Sequence, residues 1–215
     1  MTNVLRFAAG LVGLSGLIIT FLYGSSASEP DFLRRIILFF STLTILTNTI
    51  VTIAFLIPPL VPNTKANRFF SNATVRTSIA DYITIVGIGY HLFLTPVSEL
   101  EGMAQASTVI THYIVPLLFV LDWLFLTPGK SNLSWTTGGR SLVYPIIYTI
   151  WTLLHGAQTD WYPYPFVDVN VIGYPQAILN MAGFCLAFII LQLSFISIGR
   201  FFGKKQLAQE AFVSR

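Results

Sequence analysis

LRRIILFFSTLTILTNTIVTIAFLIP, residues 33–58, carries no charged side chain between Arg35 and Pro58. A run of about 20 predominantly apolar residues lets a helix cross the hydrocarbon of a bilayer, at a rise of about 1.5 Å per residue. The run also has internal order. Ser41, Thr44, Asn48 and Thr52 recur at intervals of three and four, which places them along one face of a helix. Hydrocarbon offers hydroxyl and amide groups no partner, so such a stripe has to be buried against other helices. The stretch predicts a bundle rather than a lone anchor.

Five more stretches meet the same requirement, giving spans near 4–23, 33–58, 76–96, 106–127, 142–158 and 174–201, the fifth being the shortest. Turn chemistry separates them: Gly24-Ser25-Ser26, Pro58-Pro59 with Pro62-Asn63, Glu99 to Gly102, Pro128-Gly129, and Pro163 with Pro165. Composition agrees, since 54% of the residues are hydrophobic and 10% charged, too apolar for a soluble domain of this length. Mean hydropathy is +0.71. No gap approaches the roughly 50 residues a folded soluble domain needs. The expected architecture is therefore all-α, a polytopic bundle of six transmembrane helices forming one domain over residues 1–215. The first span follows Arg6 and precedes Ser25-Ser26-Ala27, but its apolar run exceeds the roughly 7–15 residues of a signal peptide. It reads as an uncleaved anchor. Ala9, Gly13 and Gly16 put small residues on one side of it, which permits close helix approach.

The net charge is +3, but the Lys and Arg residues are spread over short connecting segments. A nucleic-acid surface needs them clustered on one face, so that class is set aside. Arg34 and Arg35 alone fall on one side of the predicted bundle. The positive-inside rule then places both termini and the second and fourth loops in the cytoplasm of a multi-pass cell-membrane protein. The sequons Asn72-Ala73-Thr74 and Asn132-Leu133-Ser134 fall on that same side and read as chance matches. With Cys185 as the single cysteine, no intramolecular disulfide or cysteine-rich metal site can be built. No nucleophile elbow, phosphate loop or His-Glu-x-x-His helix is present, and the sequence calls for no cofactor and no metal.

Function, on this reading, rests on polar groups inside the spans, which are expensive in lipid and face the bundle interior. The third span repeats the stripe with Asp81, Thr84, Ile88, His91 and Thr95, and the fifth with Tyr144, Tyr148, Thr152 and His155. Helical rise puts His112 about 9 Å and Thr44 about 16 Å from the outer ends of their spans. His91 and His155 lie in the same outer half, Asn180 about as deep as His112, and Asp81 and Asp122 near the cytoplasmic end. Ordinary roles stand beside each: backbone bonding for Thr44, interhelical hydrogen bonds for His91 and His155, and ion pairs of Asp81 and Asp122 with Arg76 or Arg140. Trp161, Tyr162 and Tyr164 fit an interfacial aromatic belt, and their segment is also placed to fold over the outer mouth.

FFSTLTILTN (39–48), HYIVPLLFVLDW (112–123) and YPIIYTIWTLLHG (144–156) followed by YPYPFVDV (162–169) resemble the bacterial six-helix relatives of the androgen-induced protein family. The likeness runs from Phe39 to Val169. Animal members of that family are integral membrane hydrolases of fatty acid esters of hydroxy fatty acids, with an intramembrane threonine nucleophile and a histidine base. The resemblance implies Thr44, with Asn48 downstream, and His112, ahead of Pro116. Ser41, Thr42 and Thr47 stand close enough to be alternatives to Thr44.

The chemistry is self-consistent, because a threonine hydroxyl needs an adjacent base and a neutral histidine is the usual one. Asp122 is ten residues from His112, about 15 Å along the same helix, too far to orient it. A dyad is therefore expected, with Asn48, Asn180 or Tyr148 as oxyanion donor or orienter. Its hydroxyl and ring nitrogen should lie near hydrogen-bonding distance, beside an apolar cavity. The partners implied are membrane lipids and a lipid ester. The alternatives are a non-catalytic scaffold or lipid-binding protein, and a small transporter; neither internal repeats nor a charged path across the spans favours the transporter.

Overall fold

Helix starts follow from short polar side chains that accept the unpaired amides of a first turn. Asp31 accepts from Arg34 N at 2.7 Å, Thr64 from Asn67 N at 3.1 Å and Asn72 from Thr74 N at 2.9 Å. A computed structural model of the chain describes residues 1–95 and 100–213, with side chains as far as 204, and this range is helical throughout apart from its turns. In order the helices are α1 (Thr2–Tyr23), α2 (Phe32–Phe40), α3 (Leu43–Leu60), α4 (Lys65–Ser71), α5 (Ala73–Gly89), α6 (Gly102–Val109), α7 (Val115–Leu126), α8 (Thr137–Ser141), α9 (Val143–Thr159) and α10 (Val169–Val213). Residue 96 at the expected end of the third span, Glu99, the Lys205 side chain and Arg215 lie outside the described residues.

Five stretches are long and apolar enough to cross a membrane: Thr2–Tyr23, Leu43–Leu60, Ala73–Leu94, Gly102–Leu126 and Val169–Lys204. The all-α membrane bundle thus stands, while the expected fifth span, α9, is only 17 residues long and is not among them. Boundaries shift where local chemistry intervenes. The third span begins at Ala73 because Asn72 caps it, and runs on into a π turn at Tyr90–Leu94. The fourth begins at Gly102 and carries a π turn at Ile110–Ile114. Gly173, with φ 75°, separates the first turn of α10 from its long body, a conformation glycine adopts without a steric penalty.

The second span is two helices, not one. Ser41 Oγ donates to Ile37 O at 2.7 Å, and Thr42 Oγ1 donates to Phe39 O at 3.2 Å while accepting from Ile45 N at 3.4 Å. Two consecutive hydroxyls thus occupy backbone groups that the break frees, which makes it tolerable inside a bundle.

Small residues set the closest contacts. A Cβ on Gly13 would lie 2.5 Å from Thr52 Oγ1, and one on Gly16 2.7 Å from Ile110 Cγ2, so α1 seats directly on α3 and the fourth span. The core behind them includes Val51, Phe55, Ile83, Phe119 and Phe188, with Phe55 and Phe119 edge-to-face at 5.1 Å. At the far end Asp122 binds Arg6 Nε at 2.8 Å and pairs with Arg76 Nη2. Arg76 was an expected partner; Arg6 was not, and Arg140 takes no part in these bonds. Asp81 departs from expectation: it is fully buried and neither of its carboxylate oxygens has a hydrogen-bond partner among the described residues. The Arg76 guanidinium is already committed to Asp122, Thr127, and the carbonyls of Ala54 and Phe70.

Candidate active site

The break between α2 and α3 makes Thr44 the second residue of a helix rather than the middle of one. Amides of a first turn have no intrahelical acceptor. Thr44 N points instead at Tyr164 Oη, 3.4 Å away, and the first intrahelical bond of α3 is Leu46 N to Thr42 O.

His112 lies in the π turn of the fourth span, a local distortion that often marks a functional position. Its Nδ1 is 3.1 Å from Thr108 O and 3.1 Å from Thr111 Oγ1. A carbonyl only accepts, so Nδ1 carries the proton and Nε2 keeps its lone pair. That Nε2 is 3.2 Å from Thr44 Oγ1. The Tyr90 ring lies across the imidazole with centroids 4.1 Å apart, and Gly87 allows α5 this close, since a Cβ there would sit 2.9 Å from His112 O.

Among the described residues, none of the alternatives to Thr44 is joined to a histidine by a hydrogen bond. Ser41 Oγ is bonded to Ile37 O and receives Trp151 Nε1 at 3.2 Å, Thr42 caps α3, and Thr47 Oγ1 is 2.8 Å from Tyr144 Oη. Asn48 is fully buried and braces the pair from behind, its Nδ2 donating to Thr44 O at 2.9 Å and Thr111 O at 3.1 Å. Tyr148 donates to Ser41 O at 3.2 Å, and Asn180 Nδ2 to Phe166 O at 2.8 Å. Both side chains line a cavity of about 660 Å³ that Thr44 and His112 also reach.

The other two histidines stand apart. His91 is exposed and sits 3.2 Å from Tyr113 Oη. His155 stacks on Trp151 at 5.3 Å and meets the edge of Trp161 at 5.7 Å. The inward line of α5 passes through Ile83, Val86 and Tyr90, so the stripe of Thr84, Ile88 and His91 turns outward as it ascends.

Sequence reasoning missed three members of the site. Tyr90 had no polar periodicity to mark it. The Thr108 carbonyl is backbone and leaves no residue signal. Tyr164 read as a belt residue, yet its Oη is 3.5 Å from Thr44 Oγ1; the YPYP segment that folds over the mouth was the available hint. Burial pushes the Tyr164 phenol above its ordinary pKa, keeping it a neutral donor. Among the described residues no three His, Cys, Asp or Glu side chains converge as a metal site would require. Comparison with family models, characterised proteins and solved structures finds no match to this chain.

Proposed function

We propose that the chain is an intramembrane hydrolase of lipid esters, with Thr44 as nucleophile and His112 as general base. The carrying observation is the 3.2 Å approach of Thr44 Oγ1 to a His112 Nε2 whose other nitrogen is tied to Thr108 O. In this mechanism Oγ1 attacks the ester carbonyl carbon and Nε2 takes its proton. The developing oxyanion faces the amino end of α3 and the Tyr164 hydroxyl, donors of the kind that stabilise a tetrahedral intermediate. The proton then passes from Nε2 to the departing alkoxide, leaving an acyl-threonine that water cleaves. Thr108 O supplies the orientation that an aspartate gives elsewhere, so no third side chain is needed.

The resemblance of residues 39–169 to the androgen-induced protein family supports the same reading, with fatty acid esters of hydroxy fatty acids as the expected substrate class. The distribution of Lys and Arg supports cytoplasmic termini and a dyad toward the outer leaflet.

The test is release of fatty acid from such an ester by membranes carrying wild type, Thr44→Ala, His112→Ala and the double variant. Loss of the base should lower turnover by about 10²–10⁴, and each single loss should be nearly as damaging as both, because the two act as a unit. An activity probe directed at nucleophilic hydroxyls should label Thr44. Wild type inert toward this ester and simpler lipid esters, or Thr44→Ala fully active, sends the assignment to a lipid-binding scaffold or a transporter.

A further inference from the structure

Two chambers meet at the dyad, and Thr44, Tyr90, Leu94, His112 and Tyr164 line both. The first, the more apolar, lies between α5, α9 and α10, with Pro145, Phe184, Cys185 and Phe188 on its wall beside Tyr148 and Asn180, whose polar atoms are bonded to the carbonyls of Ser41 and Phe166. The second, of about 1380 Å³, lies between α1, α3, α6 and the 161–164 segment, with Thr20, Ser25, Ser26, Thr42, Ser107 and Thr108 on its wall. Resting on the hydrolase reading, we infer that the ester is bound in one direction: its acyl chain in the apolar chamber and its alcohol portion in the hydroxyl-lined one.

The direction follows from the two half-reactions. In the first, the Oγ1–carbon bond forms, the alcohol's C–O bond breaks, and the alkoxide leaves with the proton held on His112 Nε2. In the second, water forms the new bond to the same carbon, gives its proton to the same Nε2, and Thr44 recovers that proton as the acid departs. Alcohol and water exchange protons with one nitrogen, so they occupy the same side of the carbonyl. Water enters where polar groups can hold it, and apolar cavities stay dry. The hydroxyl-lined chamber is therefore the side of water and alcohol. The acyl chain, which stays attached throughout, takes the other, whose wall carries Met181, Phe184 and Phe188. The substrate class is an ester of one apolar acyl chain with an alcohol carrying further polar groups. Cys185, on the apolar wall, gauges acyl length.

Cys185→Trp fills part of the apolar chamber, and because the chain has one cysteine, alkylating the folded wild-type protein with N-ethylmaleimide fills the same place without a folding burden. Ala104 is on the wall of the other chamber, and Ala104→Trp fills part of it. Two ester series are compared, one with acyl chains from acetyl to palmitoyl on one alcohol, the other with acetyl on alcohols of growing size. Both changes at Cys185 should lower the palmitoyl-to-acetyl ratio of kcat/KM at least about tenfold, the scale at which a pocket reads one or two methylenes. Ala104→Trp should lower the large-to-small alcohol ratio instead. Turnover in wild type with an unchanged acyl profile in both Cys185 forms, or with the two preferences exchanged, overturns the assigned direction alone. Absence of turnover on every ester overturns the hydrolase reading and this one with it.

Discussion

A threonine hydroxyl in the middle of a helix donates its proton to the carbonyl three or four residues back, and while it does so it is a poor nucleophile. Thr49, Thr77 and Thr84 all do this, at 2.7, 2.6 and 2.7 Å from Ile45 O, Ala73 O and Ala80 O. For Thr44 the residue four back is Phe40, which ends α2 on the other side of the break. The carbonyl three back, on Ser41, receives the Tyr148 hydroxyl. Thr44 is thus released from the ordinary fate of its residue type and bonds to His112 instead. Thr44→Val, which keeps the shape and deletes the hydroxyl, should abolish ester cleavage, whereas Thr44→Ser should retain a measurable part of it. Tyr164→Phe separates the oxyanion role from packing. It keeps the ring stacked 5.2 Å from Phe166 and removes only the donor, so kcat should fall by about 10² or more, the loss seen when one oxyanion donor is deleted, with KM little changed. An unaltered kcat would assign the Tyr164 hydroxyl to holding the loop.

The break that releases Thr44 was invisible in the sequence because serine and threonine sit in continuous membrane helices as readily as at their ends. Five of the six expected spans were legible, since length and hydropathy alone decide them, and so was the burial of Ser41, Asn48 and Thr52. What periodicity could not supply was the two π turns and the path of α5, where the inward residue at the level of the dyad is Tyr90 and not His91. The α2–α3 break is itself testable. Thr42 Oγ1 both receives Ile45 N and donates to Phe39 O, so Thr42→Ala should lower stability by about 1 kcal/mol, the typical value of an N-cap. It should also lower turnover more than that destabilisation explains, because a helix continuous through residue 42 gives the Thr44 hydroxyl a carbonyl to bond. Thermal melting in detergent and kcat per folded protein measure the two effects separately. Equal losses in both would leave the break as a packing feature only.

The molecule divides its tasks between its two ends. One end holds the Thr44–His112 pair between two chambers; the other holds Asp122 between two guanidiniums, Arg6 and Arg76, with Arg76 fully buried. That ion cluster ties α1, α5 and the fourth span together, and among the described residues no hydrogen bond or ion pair runs from it to the dyad. Removing one member of a buried pair strands the other's charge and costs about 3–5 kcal/mol. Losing one interhelical hydrogen bond in a membrane bundle costs about 0.6 kcal/mol on average. Asp122→Ala should therefore lower the thermal midpoint markedly, while the fraction that remains folded cleaves ester at the wild-type rate. Thr44→Ala should do the reverse, melting with wild type and cleaving nothing. A triple variant, Arg6→Met with Arg76→Met and Asp122→Leu, fills the cluster with apolar side chains and leaves no charge unpaired, so it should recover most of the stability that Asp122→Ala loses. Asp122→Ala that melts like wild type yet has lost its hydrolysis would overturn this division, because the carboxylate would then be acting on the dyad from the opposite end of the bundle.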